Sequence, residues 1–68
     1  MTDYEHWALE YKKSADELRT KIDLLEYRRR HHGLTPQTEK KLLILYEMYG
    51  DCMLAFRELM RKAQHVRR

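Results

Sequence analysis

The chain has 68 residues, with 14 Lys and Arg against 11 Asp and Glu, one Cys, one Pro and two Gly. A single cysteine excludes an internal disulfide framework, and so little Gly and Pro leaves no turn material for a many-stranded fold. No charge-free apolar run approaches the roughly 18–20 residues that span a bilayer, and the mixed, acidic opening lacks the basic start and apolar core of a signal peptide, so a cytoplasmic chain with no membrane partner is expected.

The first predicted helix covers residues 3–32, with ends uncertain by about two residues. Thr2-Asp3-Tyr4-Glu5 reads as a capping box, with Thr2 as the cap and Glu5 reaching back to it. Tyr4, Ala8, Tyr11, Ala15, Leu18, Ile22 and Leu25 then recur in alternating steps of four and three, which is one apolar seam. A turn is predicted at 33–35. Gly33 suits the left-handed position that closes a helix, and Thr35 can cap the next one with Pro36 at its first position, where the missing N–H costs nothing. The second predicted helix covers residues 36–65, leaving 66–68 as a frayed tail. Its seam is Leu42, Leu45, Tyr49, Cys52, Phe56, Leu59, Ala63 and Val66.

Facing residues in an antiparallel helix pair share one index sum. The layers Leu25–Leu42, Ile22–Leu45, Leu18–Tyr49, Ala15–Cys52, Tyr11–Phe56, Ala8–Leu59 and Tyr4–Ala63 all share the same sum, as do the flanking opposite-charge pairs Glu26–Lys41, Arg28–Glu39 and Glu5–Lys62. The expected fold is therefore all-α, a single antiparallel two-helix hairpin.

Two helices bury one stripe each, and a chain this short rarely sustains a core that way without a metal, a disulfide or a partner. The second helix carries more apolar residues than one seam needs. Tyr46, Met53 and Met60 form a further stripe at seven-residue spacing, opposite Lys21, Ser14 and Trp7 by the same sum rule, while Met48 falls opposite Arg19. With Leu43 alongside, this stripe is the expected oligomer interface. Gly50 beside it admits close approach of a partner helix or is simply tolerated. A homodimeric four-helix bundle is the simplest closed assembly, and a helix from another protein is the rival occupant.

Residues 1–27 carry seven acids against four bases, whereas Arg28, Arg29, Arg30, His31, His32, Lys40 and Lys41 gather at the hairpin tip with only Glu26 and Glu39 opposing. Arg28, Arg29, Arg30, Lys40 and Lys41 are the expected contacts of an alternative function, nucleic-acid binding, because phosphate affinity is largely counterion release by Lys and Arg. The same cations also complement a helix C-terminus. No metal or other cofactor is expected: His31 and His32 point apart, His6 and Glu10 could share an ion with His65 near that end but complete no four-ligand set, and Cys52 on the seam reads as a small buried apolar residue.

Three resemblances bear on this. Glu17-Leu18-Arg19-Thr20-Lys21-Ile22-Asp23 resembles the opening of all-helical chorismate mutases, with Arg19 at their substrate-binding arginine. That family needs a third helix, for which the chain has no length, so no enzyme and no catalytic residue are expected. The hairpin, with the Tyr and Cys spacing of Met48-Tyr49-Gly50-Asp51-Cys52, resembles the plasmid-encoded Rop family in architecture, which implies a dimeric bundle but carries no function. The Tyr-rich first helix, the Leu34-Thr35-Pro36-Gln37-x-Glu39 restart and Tyr46-Glu47-Met48-Tyr49 resemble small helical-hairpin proteins of Gram-positive bacteria and their mobile elements. That resemblance implies the same fold and brings no activity. The function expected is a helical self-association or protein-interaction module.

Overall fold

The seams and the turn chemistry are realised as two long helices, α1 (Asp3–His31, 29 residues) and α2 (Pro36–Val66, 31 residues), packed antiparallel. The structure is a computed structural model and describes residues 3–66. Thr2 of the expected capping box and residues 67 and 68 of the expected tail lie outside the described residues, and Val66 is the last residue of α2.

Gly33 closes α1 with φ 79°, a backbone conformation that costs a residue with a Cβ about 1–2 kcal/mol. Its N–H donates to the carbonyls of Arg28 at 3.1 Å and Arg29 at 3.2 Å, and the His32 N–H donates to Arg28 at 2.8 Å, which satisfies carbonyls that a helix end leaves open. Thr35 starts α2. Its Oγ1 accepts the Thr38 N–H at 3.2 Å and lies 2.8 Å from the Thr38 hydroxyl, while its carbonyl accepts the first helical bond from Glu39 at 2.9 Å.

Leu18, Ile22, Leu42 and Leu45 form the buried core, with Leu25, Leu34, Tyr49 and Cys52 packed against it. Toward the open end the fully buried side chains are alanines, Ala8, Ala15 and Ala63, while Phe56 and Leu59 are half-buried and Tyr11 is exposed despite its seam position. A seam between only two helices has open edges, so a large ring placed on it cannot be enclosed. The hairpin measures 51 × 15 × 13 Å, with a radius of gyration of 15.4 Å against about 11 Å for a compact chain of this length.

The flanks differ from expectation. Glu26 accepts a hydrogen bond from the Tyr46 hydroxyl at 3.0 Å and lies 3.8 Å from Arg29, rather than pairing with Lys41. Glu39 pairs with Arg29 at 3.4 Å, not with Arg28. Arg19 lies with its guanidinium 6.0 Å from the centre of the Tyr49 ring, not opposite Met48. Trp7 and Ser14 line a groove with Ala55 and Leu59 instead of covering Met60 and Met53. One geometric reason explains all of these. A shared index sum sets equal height along the pair, but side is set by whether a residue precedes or follows its seam neighbour. In an antiparallel pair, preceding meets preceding and following meets following. Tyr46 follows Leu45, as Glu26 follows Leu25. Trp7 and Ser14 precede Ala8 and Ala15, as Ala55 precedes Phe56.

Candidate interaction surface

The helix pair presents two flanks and a back, and each carries part of the apolar surplus. On the following flank, Tyr46 is 46% exposed, and Met53 and Met60 are half-buried. The hydrogen bond to Glu26 holds the Tyr46 phenol above the usual tyrosine range, because ionising it would destroy the donor and set two negative charges side by side. Several charges on this flank close within the chain. Lys12 bonds Asp16 and Arg19 bonds Asp23, each at 3.1 Å, and Asp23 first, then Tyr49, holds the Arg19 guanidinium in its charged form. Leu43, 64% exposed, and Gly50 also follow seam residues, Leu42 and Tyr49, on this flank, and a Cβ added at Gly50 would meet nothing within 4 Å. Leu54 is exposed at the back of α2.

The preceding flank is the more open. Trp7, Glu10, Tyr11, Ser14, Ala55 and Leu59 line a groove of about 450 Å³. Further toward the tip on the same side, Met48 and Ile44 are 47% and 55% exposed. A second groove of about 400 Å³ follows, lined by Leu24, Leu25, Thr38 and Leu45 together with the cations Lys21, Arg28 and Lys41.

All five cations named from the sequence at the tip, Arg28, Arg29, Arg30, Lys40 and Lys41, are exposed. The structure divides them. Arg29 is engaged by Glu26 and Glu39, whereas Arg28, Arg30, Lys40 and Lys41 make no ion pair among the described residues. The Tyr27 ring packs on His31 with centroids 4.2 Å apart, so the aromatic nearest the tip is taken up locally. His6 lies 3.4 Å from Glu10, and Cys52 is half-buried beside the core. Among the described residues, no group of three or more His, Cys, Asp or Glu gathers as a metal site, and no helix is long and apolar enough to cross a membrane.

Two features went unread in the sequence. Leu34 packs onto the core from the turn, and Lys21, Arg28 and Lys41 share one groove. The second was readable, since Lys21 and Lys41 each immediately precede a seam residue. No family model, curated protein or solved structure matches the chain.

Proposed function

We propose that this hairpin is a non-enzymatic, cytoplasmic self-association module, two copies packing into a four-helix bundle in which α2 supplies most of the apolar contact. The observation that carries it is the number of large apolar side chains that α2 leaves in solvent over its flanks and back: Leu43, Ile44, Tyr46, Met48 and Leu54. Exposed apolar surface of that extent marks an interaction site. The surface area agrees. A globular monomer of 8.4 kDa exposes about 4,600 Å², and the hairpin exposes 5760 Å². The excess of about 1,100 Å² is more than the roughly 800 Å² each partner buries in a standard interface. The expected interface residues Leu43, Tyr46, Gly50, Met53 and Met60 offer one seat for the second copy, and the flank of Met48 and Ile44 offers the other. Sedimentation equilibrium at micromolar concentration is expected to give about twice the chain mass. A fully helical monomer under those conditions would refute self-association.

A second reading, a small dimeric nucleic-acid binder, is favoured by Arg28, Arg30, Lys40 and Lys41 at the tip, which are exposed and make no ion pair among the described residues. It requires duplex affinity that falls steeply with salt, by roughly 0.9 in log–log slope for each phosphate neutralised on B-DNA. A complex with a helical protein that survives high salt favours the module reading instead.

A further inference from the structure

The two flanks of the hairpin differ in how their charge is arranged, and that difference selects one face and one orientation for the second copy. On the following flank, most acids and bases satisfy each other within the chain, Lys12 with Asp16, Arg19 with Asp23, and Glu26 with Tyr46 and Arg29, and Arg57 is the exposed exception. The preceding flank is segregated along its length. Near the tip it carries Lys21, Arg28 and Lys41 around one groove that no acid lines. Toward the open end it carries Glu10 in the groove of Trp7 and Tyr11. Glu17 lies three residues after Ser14, and Asp51 and Glu58 lie four before and three after Ala55. Helical spacing therefore puts all three exposed acids on the same face as that groove. Lys62, which precedes Ala63, sits at the outer edge of this acidic half. Met48 lies exposed between the two halves, while Tyr11 and Ala55 line the groove of the acidic half and Ile44 is exposed level with the basic one.

We infer that the second copy seats on this preceding flank in antiparallel orientation, so that the Lys21, Arg28 and Lys41 groove of each copy receives the Glu10, Glu17, Asp51 and Glu58 face of the other. The inference rests on the self-association reading and adds its face and direction. The basic and acidic halves are centred about twelve residues apart along the helices, or roughly 18 Å at 1.5 Å per residue. A parallel dimer on this face would set cations on cations and carboxylates on carboxylates, which like-charge contact penalises strongly. Turning one copy end over end pairs both halves at once. The twofold axis then passes close to Met48, whose flexible thioether adapts to meeting its own counterpart. Cations that pair with no acid among the described residues of their own chain find acids in the other.

Sedimentation of three proteins tests this: the wild type, the tip variant Lys21→Glu/Arg28→Glu/Lys41→Glu, and the acid variant Glu10→Lys/Glu17→Lys/Glu58→Lys. Every substituted residue is exposed, and circular dichroism reports whether each variant keeps its helices. The wild type should dimerise, and each variant alone should do so at least about tenfold more weakly. An equimolar mixture should restore the dimer, because the predominantly acidic face of one variant, with Lys62 at its edge, then meets the face of the other, where only Asp51 stays acidic. In the wild type alone, raising salt from about 0.05 M to 0.5 M should weaken the dimer, since screening shortens the reach of these pairs. Helical variants that dimerise as tightly as the wild type, or a wild-type dimer indifferent to salt, overturn the inference and leave self-association standing with its seat elsewhere, at Tyr46, Gly50 and Met53. A mixture that stays monomeric overturns the pairing of these faces, and a wild-type dimer that tightens as salt rises overturns the antiparallel direction. A monomeric wild type overturns the functional reading and this inference together.

Discussion

Leu42 and Leu43 are adjacent in the chain and opposite in fate. Leu42 is 2% exposed in the core with Leu18, Ile22 and Leu45, and Leu43 is 64% exposed. Truncating each to Ala removes the same three carbons, so the difference between the two variants isolates burial from composition and helix propensity. At Leu42 the lost transfer free energy is about 2.4 kcal/mol at 0.8 kcal/mol per CH₂, and the cavity left behind adds to it. A hairpin only two helices thick can close part of that cavity, so the expected cost is about 2.5–3.5 kcal/mol, the lower half of the range for Leu→Ala. Stability scales as roughly 0.05–0.15 kcal/mol per residue, or about 3–10 kcal/mol for this chain, so the variant loses a large share of its fold. Leu43→Ala should cost less than about 0.5 kcal/mol. Urea unfolding followed by circular dichroism, at a concentration where wild type and variants share one oligomeric state, measures both. Equal costs at the two positions, or a cost at Leu42 below about 1 kcal/mol, would falsify the seam as the source of the core.

Other outcomes follow from the caps, the glycine and the ring. Thr35→Ala removes the acceptor for the Thr38 N–H and should destabilise by about 1 kcal/mol, measured in the same urea series, whereas Thr35→Ser should be close to neutral. Gly50→Ala places a methyl where nothing lies within 4 Å and should stabilise the helix by roughly 0.5–1 kcal/mol while leaving the dimer constant unchanged; a weakened dimer would put the second copy against Gly50 instead. In alkaline ultraviolet titration, the step lost in Tyr46→Phe should lie above the ordinary tyrosine value of about 10. The folded-state pKa is raised, so the stabilisation from the Tyr46–Glu26 bond is whole below about pH 10 and is lost as pH climbs through the raised value. A lost step at or below the ordinary value contradicts the bond.

The seam, the turn and the layering were legible because each rests on a local rule: three-four spacing for the helices, a positive-φ glycine and a threonine cap for the turn, and a shared index sum for the pairing. The flank contacts were not. The sum rule carries one coordinate, height, and is silent on the second, the side of the pair on which a residue sits. Glu26 and Lys41 satisfy the first and fail the second, so Glu26 reaches Tyr46. Trp7 and Met60 fail in the same way. Noting which residues precede and which follow the seam would have recovered both, and with them the basic groove of Lys21, Arg28 and Lys41. Leu34 was hidden for a different reason. It lies outside both helical periods, and only the path of the turn decides that it points inward. The division of the tip cations depends on side-chain reach, which spacing does not encode, and it leaves Arg29 occupied while Arg28 stays open.

The branched aliphatic core and the tight turn lie at the same end of the molecule, and this sets an order of assembly. Leu25 and Leu42, both in the core beside the turn, close a loop of about seventeen residues, whereas Tyr4 and Lys62, which line one groove at the far end, close one of about fifty-eight. Loop-closure entropy alone makes the far contact roughly 1 kcal/mol harder to form first. The far end also has less to gain, since alanines fill its buried positions. Folding should therefore nucleate at the turn and zip toward the termini. In the folded protein the same gradient makes opening begin at the end of the helix pair around Ala8 and Ala63, with amide exchange faster there and slowest around Ile22 and Leu42.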